Sequence, residues 1–174
     1  IDVRPATGEL YGVSHDSRLY RIDTATGRAE AVSATPFTPA LSGTDFSVDF
    51  NPTVDRLRVI SDTGQNLRIN PNTGAVAATD TVISPLGSTV SGVAYTNNVD
   101  GAATTTLFGI DSAGDTLVRI GGVGGTPSPN GGVATAIGPL GVDATTVNGF
   151  DISSSDNLAF AVLNVAGSAT LFVV

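Results

Sequence analysis

The chain has 174 residues, 8 bases against 16 acids, a formal net charge of -8 and only 14% charged residues. All eight bases are arginines, one histidine is present, and Lys, Cys, Met and Trp are absent. Such an acidic chain is a poor match for a phosphate backbone, so no nucleic-acid partner is expected. Without cysteine there is no disulfide framework, thiolate metal site or thiol chemistry, and one histidine cannot make a two-histidine zinc motif. No window approaches the ~20 apolar residues of a membrane span, so no membrane insertion is expected. The chain opens on Ile1 with no basic and apolar leader ahead of it, which reads as a mature or trimmed product. A composition rich in Thr, Ser, Ala and Gly suits an extracellular or cell-surface setting.

A repeat runs through the chain, four short strands to a unit. The first strands centre on Asp2, Asp49, Ala94 and Asp151, with Thr44, Thr89 and Thr146 five residues ahead of the last three. The second strands are Leu10-Tyr11-Gly12-Val13, Leu57-Arg58-Val59-Ile60, Leu107-Phe108-Gly109-Ile110 and Ala159-Phe160-Ala161-Val162. Asp2 to Tyr11, Asp49 to Arg58 and Asp151 to Phe160 are each nine residues, while the third unit carries five extra between Thr96 and Thr105. The third strands end in Ile22, Ile69, Ile120 and Val174, and the fourth cover 29–32, 75–78 and 133–137.

Asp, Asn and Gly between the strands close hairpins, because Asx side chains bond their own backbone and Gly takes positive φ. The chain leaves each unit through Pro36-Phe37, Pro85-Leu86 and Pro139-Leu140. There the proline ends pairing and the apolar residue is placed to anchor the crossing. No stretch of about 10–15 residues has a helical period.

Four antiparallel strands per unit of ~40–50 residues predict an all-β fold, a β-propeller of four-stranded blades. The whole chain, 1–174, reads as one propeller-like domain with units at about 1–40, 41–86, 87–140 and 141–174. A β-sandwich is the rival, but it gives no reason for matching columns. The last unit lacks its fourth strand, which leaves the Leu171, Phe172, Val173 and Val174 edge open to strand addition. Three explanations stand. The chain is a fragment, a neighbouring copy supplies the strand, or the phase of the repeat is misread.

Segments 4–11, 49–59, 61–68, 92–98 and 138–143, above all Asp49-Phe50-Asn51-Pro52-Thr53-Val54-Asp55-Arg56, resemble a bacterial family known as domain of unknown function 4394. The resemblance covers essentially the whole chain and implies a secreted or surface propeller. It implies no catalytic residues, so none are carried over. Members continue with further strands on both sides of this stretch.

Asp2, Asp49 and Asp151 share one column of the innermost strand. They could hold Ca²⁺ through oxygen ligands near the axis; the plainer reading has each carboxylate satisfying turn amides or an arginine between blades. Arg21, Arg68 and Arg119 form a second column, expected as outward ion pairs. Arg56 and Arg58 fall on one strand face and are expected to pair with nearby Asp55 and Asp62. His15 lies in a turn and reads as a solvated residue. No Gly-x-Ser-x-Gly elbow or phosphate loop occurs, and Gly121 to Gly132 reads as a flexible loop. The favoured function is therefore a non-catalytic extracellular module, structural or binding, of a bacterial surface or matrix. Its partners would be copies of itself or another surface protein, forming a filament by strand complementation. The alternatives are a Ca²⁺-dependent lactonase-like hydrolase and a carbohydrate-binding module.

Overall fold

A computed structural model describes residues 1–85 and 89–174. Leu86, expected as a crossing anchor, lies outside the described residues. The described residues form fifteen strands and two single 3-10 turns. The first sheet is β1 (Asp2–Val3), β2 (Leu10–Ser14), β3 (Arg18–Ile22) and β4 (Ala29–Ala31). The second is β5 (Phe46–Asn51), β6 (Arg56–Ser61), β7 (Asn66–Ile69) and β8 (Val76–Thr79). The third is β9 (Val90–Tyr95), β10 (Leu107–Asp111), β11 (Thr116–Ile120) and β12 (Ala134–Pro139), and the fourth is β13 (Asn148–Ile152), β14 (Ala159–Val165) and β15 (Ser168–Val173). Every sheet is an antiparallel meander in chain order, so each is one blade of a four-blade propeller, the last with three strands.

The repeat columns are register partners. Asp2 faces Tyr11, Asp49 faces Arg58, Ala94 faces Phe108 and Asp151 faces Phe160. The extra residues of the third unit make a longer β9–β10 loop without shifting that pairing. They are tied back by Thr105, whose hydroxyl donates to the Thr96 carbonyl at 2.6 Å.

The core is divided into three layers, one at each joint between successive blades. Tyr11, Leu19, Phe50, Leu57, Val59, Leu67 and Ile69 fill the first, with the Tyr11 and Phe50 rings edge-on at 5.4 Å. Ile60, Val90, Val93, Tyr95, Leu107 and Ile120 are prominent in the second, and Ala94, Ile110, Phe150, Ile152, Ala161 and Leu163 in the third. Inner blades are covered on both faces, so β9 is buried at all six positions. The last blade is covered on one face, so β14 alternates, with Ala161 and Leu163 buried and Phe160 and Val162 exposed. A strand between two layers reads as a continuous apolar run, and one with a single covered face alternates. The crossings behave as their sequence suggests. Phe37 is buried in the first layer and Leu140 packs on the third.

Candidate functional site

The innermost strands place Asp2, Asp49 and Asp151 together at the axis. They are close enough that the Asp151 charge raises the pKa of both other carboxyls. Each innermost strand has one unpaired edge, whose amides need acceptors once water is excluded. The aspartates supply them across the joints. Asp2 Oδ2 accepts the Phe50 N–H at 2.7 Å, and Asp49 Oδ2 accepts the Tyr95 N–H at 2.8 Å. In each case the carboxylate of one blade caps the residue following its column mate in the next blade. Ala94 cannot do this for Ile152, whose N–H turns to its own neighbour, Asp151 Oδ1, at 2.7 Å.

Burial pushes Asp49 well above the usual carboxylate range, reinforced by the charges of Asp2 and Asp151. Burial also raises Asp2 and Asp151, against the amide hydrogen bonds that favour their charged forms. Asp49 and Asp2 are hydrogen-bonded in the sense that favours a proton on Asp49 and charge on Asp2. Asp49 Oδ1 is buried with no hydrogen-bond donor facing it. A cleft of about 550 Å³ between the first and last blades is lined by Asp2, Asp100 and Asp151 with Arg4. Among the described residues, no group of three His, Cys, Asp or Glu side chains is arranged to hold a metal ion. The geometry fits the capping of amides by carboxyls.

The second polar cluster is one the sequence did not disclose. Arg58 was expected to pair with Asp55 or Asp62; instead it is 1% exposed and runs beneath a loop of the next blade. Its Nε donates to Tyr95 Oη at 2.6 Å, its Nη1 to Asn66 Oδ1 and to Asp80 Oδ2 at 3.2 Å, and its Nη2 to Asn130 Oδ1 at 2.6 Å. Arg68 closes a two-pronged fork on the same Asp80, with both bonds at 2.8 Å. Asp55 pairs with Arg4 across the first joint, and Asp62 caps Thr44. Arg56 donates to the Asp55 carbonyl at 2.7 Å.

The loop from Gly121 to Gly132 is a folded brace, not a loose connection. It contains the turns Val123–Gly125 and Pro129–Gly131. Ser84 N–H donates to the Gly132 carbonyl at 2.8 Å, and Thr81 N–H to the Asn130 carbonyl at 3.1 Å. Gly132 has φ +70°, and a Cβ there would stand 2.2 Å from the Val82 carbonyl oxygen. That close approach is what carries Asn130 to Arg58.

The other expectations divide. Arg21 makes surface ion pairs with Glu9 and Glu30, as the column suggested. Arg119 makes none among the described residues; its Nε donates to the Gly121 carbonyl at 3.2 Å. His15 is exposed in its turn, its ring edge-on to Phe46 at 5.5 Å. Leu171 and Val173 lie on the outer strand of the last blade, 65% and 66% exposed.

The solved structures similar to this chain include two auxiliary nutrient binding proteins. An auxiliary nutrient binding protein from Bacteroides ovatus aligns with a TM-score of 0.57 and 14% identity, over 99% of this chain and 47% of its own. An auxiliary nutrient binding protein from Bacteroides thetaiotaomicron aligns at 0.52 and 15%, over 91% of this chain and 43% of its own. At these identities the likeness is one of fold, and the chain spans less than half the length of either. No curated protein matches it. The matching family pattern covers residues 1–174, and the chain belongs to the family described as domain of unknown function (DUF4394).

Proposed function

We propose that the chain is a non-catalytic, extracellular module of a bacterial surface or matrix, and that it assembles by accepting a strand of a second copy on its last blade. The observation that carries this is the open edge of β15. Val174 N–H donates to the Ala159 carbonyl, so alternation along the strand turns the N–H and C=O groups of Leu171 and Val173 away from β14. Beside that edge runs a groove of about 290 Å³, lined by Leu117, Ile137, Leu140, Leu163 and Phe172. Main-chain bonds to the edge would give affinity and the groove would take alternate side chains.

A second copy suits the geometry because the chain carries two unlike blade faces. Phe160, Val162, Leu171 and Val173 are exposed on the last blade, and Ile1 and Val3 on the first. Faces of successive blades pack on each other at every joint inside the chain. The similar structures are named as nutrient binding proteins, which is consistent with a binding role for the fold.

Light scattering across a concentration series tests the reading, with Leu171→Pro as the control. Proline there removes an outward N–H and blocks pairing. The wild-type chain is expected to grow in mass with concentration and the variant to stay monomeric. A wild-type monomer at every concentration refutes self-assembly.

A further inference from the structure

The joint between the second and third blades holds two guanidinium groups and one carboxylate, Arg58 and Arg68 on Asp80. One positive charge is left over, in a chain whose net charge is -8. That cluster borders a cavity of about 190 Å³ whose walls include Asn51, Arg68, Tyr95, Thr104, Gly124 and Asn130. No acid lines it. The two cavities beside the first blade are instead lined with Glu9 and Glu30, and the axial cleft with three aspartates.

A count of hydrogens shows what the walls lack. Tyr95 Oη accepts from Arg58 Nε at 2.6 Å, and the side chain is fully buried behind the wall. Asn51 Oδ1 accepts from the Thr53 N–H at 2.9 Å and the Thr53 hydroxyl at 2.7 Å. Arg68 commits Nε and Nη2 to Asp80, which leaves Nη1. Asn130 Oδ1 is held by Arg58 Nη2, which leaves its Nδ2. The wall offers donors and a positive charge, and asks for oxygen acceptors with a negative one.

We propose that this cavity binds a small carboxylate, with Arg68 Nη1 and Asn130 Nδ2 as its charged and neutral donors. A volume of 190 Å³ is that of about six waters, which suits a short hydroxy acid and excludes an oligosaccharide. The site lies apart from the open edge of β15 and does not depend on assembly.

The probe is lactate, with propane-1,2-diol as its uncharged counterpart, followed by the amide NMR shifts of Gly124 and Gly125 in the full chain. Lactate is expected to give saturable shifts, and the diol to bind at least tenfold more weakly. Arg68→Gln is expected to weaken lactate at least tenfold, since it removes a charge-assisted bond. Arg21→Gln, on the surface of the first blade, is expected to leave it unchanged. Thr104→Trp closes the cavity without touching the Arg58–Asp80–Arg68 cluster and is expected to abolish the shifts, which keeps the test valid should Arg68→Gln unfold. Shifts that never saturate, equal binding of diol and lactate, or binding unaffected by both cavity variants overturn the proposal.

Discussion

Asp49 offers a sharp test of the axial carboxyls, because two substitutions separate its shape from its charge. Asparagine keeps both roles of a protonated Asp49. Its oxygen can accept the Tyr95 N–H, and its amide can donate to Asp2. Alanine keeps neither. It orphans a buried backbone donor, which costs about 1–3 kcal/mol, and it leaves a small void beside Asp2, so about 2–4 kcal/mol is expected in all. The assay is urea unfolding at neutral pH. With a slope of about 1–3 kcal/mol/M, Asp49→Ala is expected to lower the midpoint by about 1 M or more, and Asp49→Asn to leave it close to wild type.

The pH dependence follows from the same proton. The folded-state pKa of Asp49 is raised above the unfolded value, so at pH between the two the folded chain holds a proton that the unfolded chain has lost. Its contribution is fully present below the ordinary carboxylate range and is lost as pH rises through the folded pKa. Asp2 and Asp151 shift in the same direction. Asp49→Asn is expected to flatten the decline in stability above mildly acid pH. An Asn variant as unstable as the Ala variant, with the decline unchanged, would show that Asp49 is charged in the fold and the reasoning wrong.

Two further predictions concern the joints. Phe50 is fully buried and edge-on to Tyr11, so Phe50→Ala is expected to cost about 3–5 kcal/mol in the same unfolding assay. Arg58→Met leaves Asn66, Asn130 and Tyr95 without their donor and is expected to cost about 3–5 kcal/mol, whereas Arg21→Gln at the surface is expected to cost under about 1 kcal/mol. Equal losses at the two arginines would refute the contrast.

The blades were legible in the sequence because their columns are hydrogen-bonded partners. The nine-residue interval from Asp2 to Tyr11 recurs since both ends of it face each other in the sheet. The aspartate column was legible too, but its partners were not. Phe50 N–H and Tyr95 N–H are backbone groups, which leave no mark in a side-chain pattern. Arg58 was misread for a related reason. Alternation puts it on the face of Arg56, but its partners Asn130 and Asp80 stand 72 and 22 residues away. The available signal was its setting between Leu57 and Val59-Ile60, a strand apolar on both faces, where an arginine is buried only if fully bonded.

Ala94 gives the ring an uneven strength. The first two joints are each closed at the axis by a carboxylate on an amide, and the third is not. Local opening is therefore expected first at the third joint, between the third and fourth blades. Backbone amides of β14 and β15 should exchange with deuterium ahead of those in β6 and β9. A ring that unlatches at one known seam can admit a partner at that seam while the rest holds its shape.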